Sequence, residues 1–199
     1  MLVRNLRWLM LLSTALVCKV LTPDQLCAQA TPVRSRAAEL SAYVGYTNLT
    51  PDYGGGHNSG ISVGADYMKY LPWLSPSLEV RFKTAPGGAA VGERTLGGGL
   101  RVEHQIKYFH PYGDLLVSTG TITFVNKAYL GSNGTGSNGS IVYSYGGGVD
   151  YDFANQWAAR VDFQSEHWNL DEVPAITLTP KVLTVGVLYR FRFKKDRGE

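Results

Sequence analysis

The residues with the clearest catalytic potential are His57 and Ser59, which flank Asn58. A serine becomes a nucleophile when a histidine accepts its proton and a third group orients that histidine. Two positions apart on a strand, both side chains point to the same side, so the spacing permits this chemistry. However, the pair follows Gly54-Gly55-Gly56, which is typical of a loop, and no carboxylate is clearly placed to orient His57. We therefore expect no catalysis and no enzyme.

The other candidates for chemistry are weaker. His104 and His110 are isolated, and no spacing of histidines or cysteines is typical of a metal site. We expect no metal ion and no cofactor. Asn133-Gly134-Thr135 and Asn138-Gly139-Ser140 match glycosylation sequons, but their Gly/Ser/Asn-rich surroundings predict turns in a surface loop instead.

Charged residues of both signs recur where polar and apolar residues alternate along the chain. Alternation with a period of two places all the polar side chains of a strand on one face. We expect these charges to form an ion network: Asp66, Glu79, Arg81, Arg101, Glu103, Asp150, Arg160, Asp162 and Arg190. The opposite face of each strand is apolar and almost uncharged.

The alternating segments predict an all-β protein of eight antiparallel strands. Their expected bounds are 39–47, 61–70, 77–84, 95–108, 112–124, 141–153, 157–168 and 182–193. The fifth segment changes phase between Leu115 and Ile122, and a β-bulge near Gly120 would reconcile the two halves. Long and short connections alternate, which is typical of an up-and-down transmembrane β-barrel whose two termini lie on the periplasmic side.

The polar face decides between this barrel and a soluble β-sandwich, whose polar face would meet water. Small residues and charges of both signs suit the crowded interior of an eight-stranded barrel, where charges must be paired. Hairpin register then predicts two interior ion pairs, Asp150 with Arg160 and Glu79 with Arg101. The first strand should pair with the eighth, because lipid leaves no backbone group unsatisfied.

Aromatic residues at the ends of the apolar faces predict two girdles at the membrane interfaces. Near the short turns lie Tyr67, Trp73, Tyr108, Tyr151, Phe153, Trp157, Tyr189, Phe191 and Phe193. Toward the other ends lie Tyr46, Phe82, Phe124, Tyr143 and Phe163.

The first thirty residues predict a cleaved signal peptide. Arg4 and Arg7 precede an apolar run at 8–17, and Ala28-Gln29-Ala30 is a small-x-small cleavage site. The run is too short for a membrane-spanning helix, which needs about 20 residues. Cleavage after Ala30 would remove both cysteines and leave a nearly neutral chain, so the basic pI does not indicate a nucleic-acid partner. A short linker at 31–37, a barrel at 38–193 and a basic tail at 194–199 would follow.

Four segments carry a family resemblance: KYFHPYG (107–113), GGGVDY (146–151), WAARVDF (157–163) and VGVLYRF (185–191). Together they resemble the OmpA/OmpX-like and opacity-protein family of small outer-membrane barrels, over about residues 38–193. The resemblance implies insertion by the outer-membrane assembly machinery, which recognises an aromatic C-terminal strand. One departure is that six residues follow Phe193, whereas the family's last strand often ends the protein with phenylalanine.

These patterns predict a structural or surface-interaction protein of the bacterial outer membrane. Its expected partners are outer-membrane lipid, lipopolysaccharide and the assembly machinery, and we expect a monomer that binds no nucleic acid. One alternative is a narrow passive pore, favoured by interior glycines and opposed by the charged filling. The other is a lipid A-modifying hydrolase, because lipid A deacylases of this shape resemble serine hydrolases with a His-x-Ser arrangement.

Overall fold

The computed structural model describes residues 38–52, 56–71, 73–86, 91–124, 137–170 and 176–191. The expected signal peptide, the linker at 31–37, Phe193 and the tail at 194–199 lie outside these residues. Within the described part of the chain, no helix is long and apolar enough to cross a membrane.

Nine strands make up the described fold. They are β1 (Ala38–Thr50), β2 (Asn58–Lys69), β3 (Ser75–Ala85), β4 (Val91–Glu103), β5 (Phe109–Phe124), β6 (Ser137–Asp152), β7 (Trp157–Leu170), β8 (Ile176–Leu178) and β9 (Lys181–Phe191). The three-residue β8 pairs with the end of β7, and β9 pairs with the rest of it. Together β8 and β9 therefore occupy one strand position, interrupted where Pro180 has no N–H to donate.

The sheet closes into an eight-stranded antiparallel barrel. Each long strand pairs with the next, and β1 also pairs with β9, with Ala42 opposite Tyr189 and Tyr46 opposite Val185. The predicted pairing of the first strand with the last is confirmed. Closure removes the sheet edges that would otherwise leave backbone groups unpaired in lipid.

The alternation in burial is that of a barrel in lipid, with polar side chains inside and apolar ones outside. On β2, Asp66 is 6 % exposed, whereas its outward neighbours Ala65 and Tyr67 are exposed. The charged side chains that point outward from the described strands lie at strand ends: Lys69, Arg94 and Lys181. The outer surface between them is apolar over the whole circumference, as a hydrocarbon core requires.

Two expectations about strand geometry are wrong. β4 ends at Glu103 rather than at 108, because a tight turn follows in which Ile106 and Phe109 exchange backbone hydrogen bonds of 2.8 and 2.9 Å. Lys107 at its tip has a positive φ of 56°. In addition, β5 pairs with β4 and β6 in an unbroken register, without a bulge at Gly120. The change of phase in the sequence arises because Ile122 is an apolar residue that points into the lumen.

Candidate functional site in the barrel lumen

The inward positions of β7 mark successive levels of the lumen from the short-turn end to the long-loop end. In order they are Ala158, Arg160, Asp162, Gln164, Glu166 and Trp168, all at most 4 % exposed. Since the inward side chains of a strand stand about two residues apart, each of them meets a different group of partners.

At the level of Arg160, two arginines share two aspartates. Arg160 Nε lies 2.8 Å from Asp150 Oδ1, and Arg101 Nη2 lies 2.6 Å from Asp150 Oδ2. Asp66, on the opposite side of the lumen, lies 3.6 Å from Arg101 Nη1 and 3.5 Å from Arg160 Nη2. The predicted pair of Asp150 and Arg160 is therefore present, and the register of β6 and β7 places the two residues opposite each other.

Two tyrosine rings separate this level from the next. Tyr112 lies with its ring centroid 3.6 Å from the Arg101 guanidinium carbon, and Tyr43 lies 4.4 Å from that of Arg160. Such contacts favour the cation electrostatically where water is excluded. The Tyr112 hydroxyl then donates a hydrogen bond of 2.8 Å to Asp162 Oδ2, which links the two levels.

At the level of Asp162, a single guanidinium forms ion pairs with three carboxylates. Arg81 lies 2.9 Å from Asp162, 3.0 Å from Asp114 and 2.7 Å from Glu79. Gln164 Nε2 donates hydrogen bonds to both oxygens of Asp114, at 2.8 and 3.0 Å. These side chains come from β3, β5 and β7, so the cluster crosses the lumen.

The expected pair of Glu79 and Arg101 is wrong. In the register of β3 and β4, Glu79 faces Gly99, and Arg101 faces Ser77. Glu79 instead binds Arg81 on its own strand, and Arg101 binds Glu103 at 2.8 Å as well as the aspartates. The predicted strands left residues 85–94 between them, so the sequence did not determine where the axis of this hairpin lies.

Closer to the long loops, Lys83 reaches across the lumen to Glu166, with 2.5 Å between Nζ and Oε1. Glu93 Oε2 lies 3.8 Å from the same amine. A small cavity beside them, with room for about one water molecule, is lined by Arg81, Lys83, Gln164 and hydroxyl side chains such as Ser118 and Ser144.

An apolar cap fills the long-loop end of the lumen. It consists of Ile122, Val142, Trp168 and Leu178, of which the first three are fully buried. The indole Nε1 of Trp168 donates a hydrogen bond of 3.1 Å to Glu166 Oε2, so the cap is joined to the ion pairs below it. Gly120 makes the room for this ring, because a Cβ there would lie 2.4 Å from it.

At the short-turn end, His110 lies between two carboxylates. Its Nδ1 is 2.8 Å from Glu103 Oε1, and its Nε2 is 3.1 Å from Asp152 Oδ2. Arg190 binds Asp152 at 3.2 Å and Glu39 at 2.8 Å, which ties β1 to β9 at the point of closure. The interpretation of His110 as an isolated residue is therefore wrong, because it lies in β5 and faces the lumen.

The geometry around His110 predicts its protonation. A carboxylate accepts hydrogen bonds, so both ring nitrogens must donate, and only the imidazolium does so. We expect the ¹⁵N chemical shifts of the ring at pH 7.5 to show two protonated nitrogens, in a signal that is lost in the His110→Gln variant. A ring with one bare nitrogen would contradict this account and would mean that Glu103 or Asp152 carries the proton.

Several solved structures share this architecture. Neisserial surface protein A matches with a TM-score of 0.53 and 12% identity, over 78% of this chain and 98% of that one. Ail, the attachment invasion locus protein of Yersinia pestis, matches with a TM-score of 0.52 and 16% identity, over 78% and 100%. The outer membrane protein OprG from Pseudomonas aeruginosa matches with 0.50 and 12%, over 79% and 98%. No protein-family model matches the sequence, and no curated protein matches it significantly.

The chain folds as a small outer-membrane β-barrel. Together with the closed sheet and the apolar outer surface, this fold places it in the bacterial outer membrane. The fold class predicted from the sequence is confirmed, and so is the resemblance to the small barrels of the OmpA/OmpX-like type.

The predicted interface aromatics whose side chains the structure describes lie on the outside of this outer-membrane barrel. At the short-turn end, Trp157 and Tyr189 pack edge to face with ring centroids 4.9 Å apart, and the rings of Phe109 and Tyr151 lie 5.0 Å apart. The other predicted aromatics that are exposed at this end are Tyr67, Trp73, Tyr108, Phe153 and Phe191.

The structure directs every charge of the predicted network into the lumen. Sequence reasoning missed further members: Glu39, Lys83, Glu93, His110, Asp114, Asp152 and Glu166. The alternation of side chains contains this information, because each of these residues lies an even number of positions from an inward-facing residue of its strand. His110 was not recognised because the predicted fifth strand began at 112, after it. Asp114 lies within that predicted strand, but the expected change of phase left its face unassigned.

His57 and Ser59 of the His-x-Ser pair each contact a residue outside the pair. His57 Nδ1 lies 3.2 Å from Thr50 Oγ1, and Ser59 Oγ lies 2.5 Å from the Tyr46 hydroxyl. The nearby Asp52 accepts hydrogen bonds from Thr179 instead. Among the hydrogen bonds of the described residues, none joins His57 to Ser59, so the nucleophile and the base of a hydrolase are not in contact here.

Proposed function

We propose that this chain is a monomeric outer-membrane barrel with a filled lumen, which acts by contacts of its long loops outside the cell and catalyses no reaction. The observation that carries the proposal is the continuous filling of the lumen. Ion pairs extend from Arg190 and Glu39 to Lys83 and Glu166, and the apolar cap follows them.

The filling argues against free passage of solutes. Separating a buried ion pair without replacing its partners leaves an uncompensated charge, at a cost of about 3–5 kcal/mol. Arg81 alone holds carboxylates from three strands together, so a path past it would break several pairs at once. The lumen therefore serves as a rigid polar core, and the long loops are left to interact with partners.

The division between long and short connections supports the surface role. The two longest connections, residues 51–57 and 125–136, lie at one end together with 86–90 and 171–175, whereas the other end has turns of four or five residues at 70–74, 104–108 and 153–156. Two similar structures are named as a surface protein and as an attachment invasion locus protein, which agrees with such a role. On this account the long loops meet lipopolysaccharide and the outside, and the assembly machinery recognises β9 with its aromatic Tyr189 and Phe191.

Surface display of the long loops is testable on intact cells. An epitope inserted within 126–135 should be labelled by antibody on intact cells, whereas the same epitope within 105–107 should be labelled only after the outer membrane is permeabilised. The opposite pattern would invert the proposed orientation. As a test for the hydrolase, lipid A from cells with and without the protein should have the same mass, and a loss of acyl chains would contradict the non-catalytic role.

One observation favours a narrow pore as the second candidate. The small cavity beside Lys83 and Glu166 lies between the Arg81 cluster and the apolar cap, so part of the lumen already accommodates water. For the lumen to become a pore, both the Arg81 cluster and the apolar cap would have to move. Single-channel recording distinguishes the two candidates.

A further inference from the structure

The turns at the short-turn end expose apolar side chains where water-facing turns would be polar. Trp73 is 82 % exposed, and Leu71, Leu74, Ile106 and Phe153 are each about half exposed. These residues lie in the connections themselves, and Trp73 and Phe153 also belong to the predicted interface aromatics. Exposed apolar side chains at a barrel end indicate contact with something other than bulk water.

The same end carries exposed basic residues. Lys69 is the last residue of β2 and points outward, one outward position beyond Tyr67. Lys107 is exposed at the tip of the turn between β4 and β5, which the backbone hydrogen bonds between Ile106 and Phe109 close.

No carboxylate among the described residues balances these charges at the surface. Glu39 and Glu103 are at most 3 % exposed, and both carry hydrogen bonds inside the lumen. Among the described acids at this end, Asp152 is the most accessible, with 24 % of its side chain exposed, and it binds His110 and Arg190. The short-turn end is therefore basic and apolar on the outside, with its acids directed inward.

Two of the turns form one continuous surface. His104 Nδ1 lies 2.8 Å from the carbonyl oxygen of Trp73, which joins the turn between β4 and β5 to the turn between β2 and β3. We call this surface the turn foot and define it by Lys69, Leu71, Trp73, Ile106 and Lys107. Aromatic rings and lysines at one depth are the combination that anchors proteins at the headgroup level of a membrane.

We propose that the turn foot binds the anionic headgroups of phospholipids in the leaflet that it faces, with Lys69 and Lys107 contacting phosphate and Trp73 inserted between headgroups. This inference rests on the membrane insertion described above and deepens it by naming the lipid class. Anionic lipid attracts juxtamembrane basic residues over a range limited by salt, so the preference should weaken as ionic strength rises.

The test compares lipids by fluorescence quenching in vesicles that contain the inserted protein. Brominated phosphatidylglycerol and brominated phosphatidylcholine quench tryptophan on contact, and the difference between the native protein and Trp73→Phe isolates the signal of Trp73. We expect phosphatidylglycerol to be preferred by roughly fivefold for each lysine, a factor that follows from the attraction of a basic side chain to an anionic surface. The double variant Lys69→Gln, Lys107→Gln should lose most of this preference.

Lys181→Gln is the matched control, because Lys181 is an exposed lysine on the outer surface at the other end of the barrel. It should retain the preference at Trp73. Equal quenching by both lipids in the native protein would overturn the proposal, as would a preference that survives in the double variant or is lost equally in the control. Absence of a heat-modifiable band would instead show that the protein had not inserted, which would overturn the membrane assignment together with this inference.

Discussion

Replacing Arg160 with methionine is expected to destabilise the barrel by about 3–5 kcal/mol, the usual cost of removing one partner from a buried ion pair. Arg160 is 1 % exposed and binds both Asp150 and Asp66. Its loss leaves Asp66 with Arg101, and Asp150 with Arg101 and the more distant Arg190, whose Nη2 lies 4.0 Å away. The free energy of unfolding can be measured by urea titration of the protein in lipid vesicles, followed by gel migration without heating.

Arg94 provides the matched control for this prediction. It points outward at the loop end of β4, where its guanidinium carbon lies 5.0 Å from the centroid of the Phe82 ring. Arg94→Met should cost no more than about 1 kcal/mol, as is usual for exposed charges. Equal stability of Arg160→Met and the native protein would contradict the account, because it would mean that the lumen is wet enough to solvate Asp150 and Asp66.

The second large effect is expected at the apolar cap. Trp168→Ala removes a fully buried ring from contact with Ile122, Val142 and Leu178, and should cost about 3–5 kcal/mol. Trp168→Phe keeps most of the volume and loses the hydrogen bond to Glu166, at a smaller cost of about 1 kcal/mol beyond any repacking. The same urea titration measures both values.

Trp157 separates the packing of the cap from the general effect of removing a tryptophan. It faces lipid at the short-turn end and is 45 % exposed, so surrounding lipid can fill the space that Trp157→Ala leaves. We expect this variant to lose clearly less stability than Trp168→Ala. If the two losses are equal, or if Trp168→Ala is harmless, then the cap does not close the lumen in solution.

The sequence predicted the faces of the strands more reliably than their pairing. Because successive side chains on a strand alternate between two sides, the parity of Asp150, Arg160 and Asp162 was sufficient to place them inside. The pair of Asp150 and Arg160 was also predictable, since the turn at 153–156 is too short to allow another register. The pair of Glu79 and Arg101 was not, because the predicted strands left residues 85–94 between them, and a stretch of that length admits more than one hairpin axis.

The hydropathy pattern did not predict which apolar residues face the lumen. Ile122 and Trp168 are as apolar as the residues that face lipid, but they lie in the lumen and form part of the cap. A period-two pattern cannot separate an apolar interior from a change of strand phase, so the sequence suggested a bulge. The cluster around Arg81 likewise depends on contacts between β3, β5 and β7 across the lumen, which no local pattern contains.

The central claim is that ion pairs and the apolar cap close the lumen. Its most direct test is single-channel recording of the protein purified from outer membranes and inserted into planar bilayers, after heat-modifiable gel migration has shown that it is folded. The account predicts an inserted barrel without steady conductance steps. Regular steps that persist across preparations, and that change when Arg81 is replaced by alanine, would contradict it and would make the lumen a pore.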